Sequence, residues 1–213
     1  MENKATTING RKRKPTERSQ KTQHLILNVA KQLISQHGFE NTTAKDIAQA
    51  AGVAEGTVFL HFDNKQGIVN NIVTDFYERL QKSSEAIVAQ QLDPFQKMRA
   101  LIKNQLKMME ADWQLGRIIF GRHGRYVDNE FADEFYRLNR NYARLYIELI
   151  DNLKENGRIR TTTPSPLIRD TLLGSMEHFA ISNFPHKRTY DLENFIDQLF
   201  DLVFFGCSQR SSG

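Results

Sequence analysis

The chain has 213 residues, 39% hydrophobic and 25% charged, the balance of an ordinary globular protein with enough length for one large or two modest domains. No apolar run reaches the length of a membrane span and the N-terminus has no secretory apolar core; the one cysteine, Cys207, excludes an internal disulfide, argues against a structural zinc site and points to a reducing cytoplasm. The net charge of +4 is unevenly placed, since residues 1–21 carry +5 and the rest of the chain sums to −1.

That first segment, residues 1–21, contains Arg-Lys-Arg-Lys-Pro and no apolar periodicity, and reads as a basic arm disordered in isolation. Such an arm is either solvated decoration or a strand of positive charge that lies on DNA. Helical periodicity then begins: Leu25, Ile26, Val29, Ala30, Leu33 and Ile34 make a one-sided stripe that Gly38 ends, with Phe39 tucking back. Thr43 is placed to cap a short helix, and Asp46, three residues on, can reach back to complete a capping box. Gly52 suits a left-handed turn, and a second short helix is expected over roughly 54–60. Ala48 is small enough for two helices to cross closely, and Val58 lies inward, able to pack on Ile47 and Ala48. Glu55, Gly56, Thr57, Phe59 and Leu60 face outward, with His61 just beyond. Two short helices around a glycine turn form a helix-turn-helix, whose second helix can enter a DNA major groove.

Beyond it, a long helix opens near Lys65 and runs to about Gln90, with Val69, Ile72, Val73, Phe76 and Leu80 on one face. Leu92-Asp-Pro stops it, and Pro94 starts an amphipathic helix over 95–110. A shorter apolar helix over 112–121 contains Trp113, Leu115, Ile118, Ile119 and Phe120, and Gly121 to Asn129 reads as a loop. Another long helix extends to about Asn156, with Tyr142, Leu145, Tyr146, Leu149, Ile150 and Leu153 inward, and Gly157 ends it. After a Thr-Thr-Thr-Pro-Ser-Pro connector come helices over 167–183, with Ile168, Thr171, Leu172, Ser175, Met176 and Phe179 on one face, and over 191–206. The last carries Leu192, Phe195, Ile196, Leu199, Phe200, Val203 and Phe204, with Leu202 and Phe205 beside them, a stripe wide for a helix in a small domain. It is either ordinary core or half of a four-helix interface between two copies of the chain, and a two-fold operator favours the second. No strand alternation interrupts the pattern, so the expected fold is all-α.

The segment Gly-Val-Ala-Glu-Gly-Thr-Val-Phe-Leu-His-Phe-Asp-Asn-Lys, ending at Lys65, resembles the signature of the tetracycline-repressor (TetR) family of bacterial transcriptional regulators, a likeness that runs from about Thr22 to Ile72. The resemblance implies a helix-turn-helix DNA-binding domain over 22–66, joined by a long helix to a helical effector-binding and dimerisation domain over 67–213. It places Thr43 against the phosphate backbone, Ala54, Glu55, Gly56 and Thr57 at base edges or phosphates, and Phe59, His61 and Lys65 along the phosphates. Two residues depart from the family's pattern. Phe59 stands where tyrosine is common, so a hydroxyl-to-phosphate bond is missing here. Glu55 stands where a neutral or basic residue is usual; it either accepts a hydrogen bond from a cytosine amino group or serves as a helix-start carboxylate that repels wrong sites.

The implied function is that of a regulator, most simply a repressor, that binds a pseudo-palindromic operator as a homodimer through its two C-terminal helices. A small apolar or amphipathic effector (an acyl chain, an aromatic or a drug-like compound) would release it. Candidate lining residues are Trp113, Phe120, Phe135, Tyr142, Tyr146, Met176 and Phe179, aromatic and sulfur side chains that at helical spacing serve equally well as core. Glu177 and His178 interrupt an apolar helix, either as a buried pair that satisfies itself or as an anchor for a polar ligand group. Catalysis is not expected. The six histidines form no Glu-x-x-His or His-x-x-x-His spacing, and the chain has neither a phosphate-binding glycine loop nor a Gly-x-Ser-x-Gly elbow, so neither metal nor cofactor is called for. A sequence-indifferent architectural DNA binder is the competing class, distinguished by its salt response and by competition with bulk DNA.

Overall fold

The structure, a computed structural model, describes residues 16–119, 129–186 and 190–206. Its regular elements are helical: α1 (Glu17–His37), α2 (Ala44–Ala51), α3 (Glu55–His61), α4 (Lys65–Val88), α5 (Pro94–Ala111), α6 (Trp113–Ile119), α7 (Asn129–Glu155), α8 (Ser165–Asn183), a 3-10 turn (Phe184–His186) and α9 (Leu192–Phe205). The all-α expectation holds among the described residues.

Capping chemistry accounts for most of the boundaries. Thr16 caps α1 by accepting from the Ser19 N–H at 3.2 Å, so the helix takes in the end of the segment expected to be a disordered arm. The Arg-Lys-Arg-Lys run itself lies outside the described residues. Asn64 caps α4 through the Gly67 N–H at 2.7 Å. Asp93 and Gln96 form a capping box on α5 with Pro94 in the first turn, where its missing N–H costs nothing. α8 begins inside the expected connector because Pro166 tolerates the first turn of a helix. Ser165 is buried there, donating to Asp151 at 2.5 Å and accepting from Lys154 at 2.8 Å, which staples α8 to the end of α7.

One apolar core runs through the molecule. At one end Ile26, Ala30 and Ile34 of α1 meet Ile47, Ala48 and Ala51 of α2, Val58 of α3 and Phe62, a compact three-helix head. Helix α4 belongs to both ends, with Ile68 and Val69 near the head and Ile72, Val73, Phe76, Tyr77 and Leu80 farther along, where it packs on α5 and α7. Two expected inward residues turn outward. Leu25 is 46% exposed, because Ile26 takes the centre of the α1 stripe. Thr171 is exposed because α8 buries Ile168, Leu172 and Met176, which leaves Thr171 on the far side.

The head is also tied to the body by charge. Asp112, in the corner between α5 and α6, accepts from Lys31 of α1 at 2.7 Å and from Arg79 of α4 at 3.5 Å through the same oxygen. Its other oxygen, Oδ1, is buried without a partner among the described residues. A cleft of about 390 Å³ opens at this corner, bordered by Asn28, Gln32 and Gln114 as well as the three charged groups.

Candidate nucleic-acid interface

The recognition element is built from its caps inward. The Thr43 hydroxyl accepts from the Asp46 N–H at 3.1 Å, while the Thr43 N–H and hydroxyl donate to the Asp46 carboxylate at 2.9 and 2.6 Å. The capping box expected from the sequence is thus complete, and the Thr43 bonds hold the Asp46 carboxyl below its usual range. Both Thr43 donors are engaged in this way, so the hydroxyl proton must turn from Asp46 before it can reach a phosphate. Gly52 ends α2 at φ 66° and ψ 31°, the left-handed region, and the Val53 N–H then reaches back to the Ala48 carbonyl at 3.0 Å. This tight exit sets the angle between α2 and α3.

Helix α3 is fixed by one inward residue. Val58 is buried, with Ile47 and Ala48 in the same core, and Phe62 follows one turn later. At 3.6 residues per turn, Glu55 and Phe59 lie on one flank of Val58 and Thr57 and His61 on the other. Gly56 and Leu60 fall about 160° from Val58 and form the outermost ridge. The burial pattern agrees: Glu55 and Gly56 are exposed, Thr57 and His61 half-buried, Phe59 47% and Leu60 82% exposed. Ala54 is exposed at the N-cap position and makes no side-chain cap bond.

Lys65 has an internal partner that the sequence did not reveal. Its ammonium donates to the Phe39 carbonyl at 2.7 Å and sits 4.1 Å from the centre of the Phe39 ring. That contact ties the start of α4 to the α1–α2 turn, which Thr42 closes locally on the Gly38 and Phe39 carbonyls. Among the residues expected at DNA, Thr43 and Lys65 thus carry intramolecular bonds, while Ala54, Glu55, Gly56 and Phe59 are exposed and Thr57 and His61 half-buried. Leu60, read as outward from the sequence but given no role by the resemblance, is the most exposed large hydrophobic side chain of α3.

The aromatic residues expected to meet an effector separate into groups. Tyr142 and Tyr146 are buried in α7, hydroxyl to hydroxyl at 3.0 Å, and both donate to Gln105 of α5, at 2.7 and 3.2 Å. Burial drives both phenols well above their ordinary pKa. Gln105 was missed, although a polar residue within the apolar stripe Leu101, Ile102, Leu106 and Met109 is a legible signal. Phe135 meets Tyr77 edge-on at 5.8 Å, and the Tyr77 hydroxyl accepts from Asn139 at 3.1 Å. Met176 is buried and Trp113 half-buried. Phe179 is elsewhere, stacked on Phe195 of α9 at 3.8 Å. Phe120 lies outside the described residues.

The Glu177–His178 pair is not buried as a unit. Neighbours on a helix point about 100° apart, and His178 is exposed while Glu177 is half-buried near Tyr77. Burial pushes the Glu177 carboxyl up to about 7, and no hydrogen bond or ion pair holds it among the described residues.

A helix-turn-helix head on an all-helical body, joined through one long shared helix, defines a class of DNA-binding regulators. Residues 26–72 match the profile of bacterial regulatory proteins of the tetR family, and residues 70–206 match that of the YsiA-like protein C-terminal region. The chain belongs to the TetR family. It is 28% identical over 150 residues to the HTH-type transcriptional repressor KstR2 of Rhodococcus jostii, covering 68% of this chain and 74% of that one. It is 20% identical over 185 residues to the fatty acid metabolism regulator protein of Bacillus subtilis, covering 87% and 95%. Its fold matches the crystal structure of FadR from Bacillus subtilis in complex with stearoyl-CoA, with TM-score 0.76 and 19% identity, over 87% of this chain and 99% of that chain.

Proposed function

We propose that the protein is a ligand-responsive repressor that binds a pseudo-palindromic operator as a homodimer and is released by an apolar or amphipathic effector. The observation that carries the DNA reading is the surface of α3, where Val58 alone is buried and the remaining side chains face outward or flank it. Residues 22–66 would read DNA and residues 67–213 would bind effector and dimerise, a division that the two adjoining family matches support. Glu55 and Thr57 would approach base edges with Ala54 and Gly56 beside them, and Thr43, Phe59, His61 and Lys65 would line the phosphates.

Dimerisation through α8 and α9 is supported by an uncovered stripe. Leu167, Thr171, Gly174, His178 and Ile181 recur along one exposed side of α8, and Leu202 and Phe205 of α9 are 52% and 53% exposed. Gly174 would let a partner helix approach closely, since a side chain there would meet nothing within the chain.

For the effector, the apolar interior around Trp113, Phe135 and Met176, with Tyr142 and Tyr146 as polar points and Glu177 as a further anchor, suits an acyl chain carrying a polar head. The relatives named for fatty acid metabolism support this class. Competition binding tests the whole proposal. At physiological salt, one selected genomic fragment should outcompete bulk DNA, and a long-chain acyl-CoA should release it. Binding that no fragment improves over bulk DNA would instead indicate an architectural role.

A further inference from the structure

The most projecting side chain of the recognition helix is a leucine. Leu60 stands on the outer ridge of α3, opposite buried Val58, and is 82% exposed, more than any other large hydrophobic residue among those described. One turn earlier on the same ridge is Gly56, where a Cβ would find nothing within 4 Å. No internal packing therefore requires a glycine at 56. Its backbone is helical, so no left-handed conformation requires one either. Helical side chains lean toward the N-terminus of their helix, so Leu60 leans back over the space that Gly56 leaves empty. The ridge that meets a duplex first is thus a bare notch followed by an apolar knob.

A leucine can make no hydrogen bond to a phosphate or to a base edge. The apolar group that a major groove presents is the C5 methyl of thymine. We infer that Leu60 reads thymine, its side chain packing on a thymine methyl while Gly56 lets the α3 backbone come close. This makes Leu60 a specificity residue in addition to Glu55 and Thr57, and it rests on the proposal that α3 enters DNA.

The test uses the full chain and a duplex selected by it from a randomised library. Each thymine is replaced in turn by deoxyuridine, which removes only the methyl, and binding is followed by fluorescence anisotropy for the wild type and for Leu60→Ala. Loss of the methyl beneath Leu60 should weaken the wild type about fourfold, the worth of one buried methyl-sized group. Leu60→Ala should bind the thymine duplex at least as weakly and be indifferent to deoxyuridine at that position. The variant's circular dichroism and melting should match the wild type, since the side chain is 82% exposed.

Three outcomes would overturn the inference: a wild type unaffected by deoxyuridine at every position, a variant with wild-type affinity, or losses that multiply independently. If the wild type selects no preferred duplex, the DNA-reading proposal itself fails, a result distinguishable from specific binding that ignores the methyl.

Discussion

Lys65 shows why a motif residue needs its neighbours to be understood. Its ammonium already bonds the Phe39 carbonyl and ring, so truncating it disturbs the turn after α1 as well as any contact with DNA. Lys65→Met keeps most of the apolar stem over Phe39 and removes the charge. If Lys65 also touches phosphate, that variant should weaken binding to operator and random DNA alike and lower the slope of affinity against salt by about one per half-site. An unchanged slope in a salt titration would confine Lys65 to tying the α1–α2 turn to α4. Glu177 gives a second test at this scale. Burial raises its carboxyl from 4.5 to about 7, so the folded chain holds this proton more tightly than the unfolded chain does. Its contribution is therefore most favourable below pH 4.5, is lost as pH rises towards about 7, and stays lost above. Glu177→Gln should be more stable than the wild type at pH 8, by on the order of 1–3 kcal/mol, with the difference vanishing near pH 4.5. Parallel melting curves at both pH values would mean the carboxylate is already compensated.

At the scale of elements, α8 and α9 make the sharpest prediction. Introducing charge into an exposed apolar patch costs a monomer little and a buried dimer interface a great deal. Leu202→Glu together with Leu167→Glu, both more than half exposed, should leave helicity and melting of the monomer nearly unchanged, yet shift sedimentation to the monomer and abolish tight operator binding while sparing weak binding to bulk DNA. A double variant that still sediments as a dimer would put the interface elsewhere. These helices also mark what was legible in advance. Boundaries signalled by local chemistry could be read directly: Thr43 with Asp46, Gly52, Pro94 and Gly157 each impose a cap or turn through their own side chain or lack of one. Orientation was less legible. Leu25 and Thr171 are compatible with a stripe on either side of their helices, and only packing against other helices decided which face went inward. The pairing of Lys65 with Phe39 and of Tyr142 and Tyr146 with Gln105 spans 26, 37 and 41 positions of chain, and no local spacing encodes contacts of that range.

For the molecule as a whole, the question is how a change in the body would reach the head. Helix α4 and the packing of α1 on α6 are mechanical links, and Asp112 adds a polar one by holding Lys31 of α1 and Arg79 of α4 at the α5–α6 corner. The geometry is poorly shared: one carboxylate oxygen takes both cations and the other is buried without a partner among the described residues, so the tie is strong in charge yet incompletely satisfied. A link of this kind can hold one arrangement of head and body and give way to another when helices α5 and α6 shift. Asp112→Asn keeps the shape and removes the charge. Because Lys31 and Asp112 are both largely shielded from water, the variant should lose about 1–3 kcal/mol of stability. Hydrogen exchange should show reduced protection along α1, with the interior of α7 unaffected. If a long-chain acyl-CoA proves to release operator DNA, its affinity for the variant should stay close to that for the wild type while the accompanying drop in operator affinity shrinks. Coupling is a free energy shared between two sites, so weakening the link lowers it without abolishing either binding event. Unchanged protection along α1 would show that the Asp112 tie adds nothing to the packing of α1 on α4 and α6.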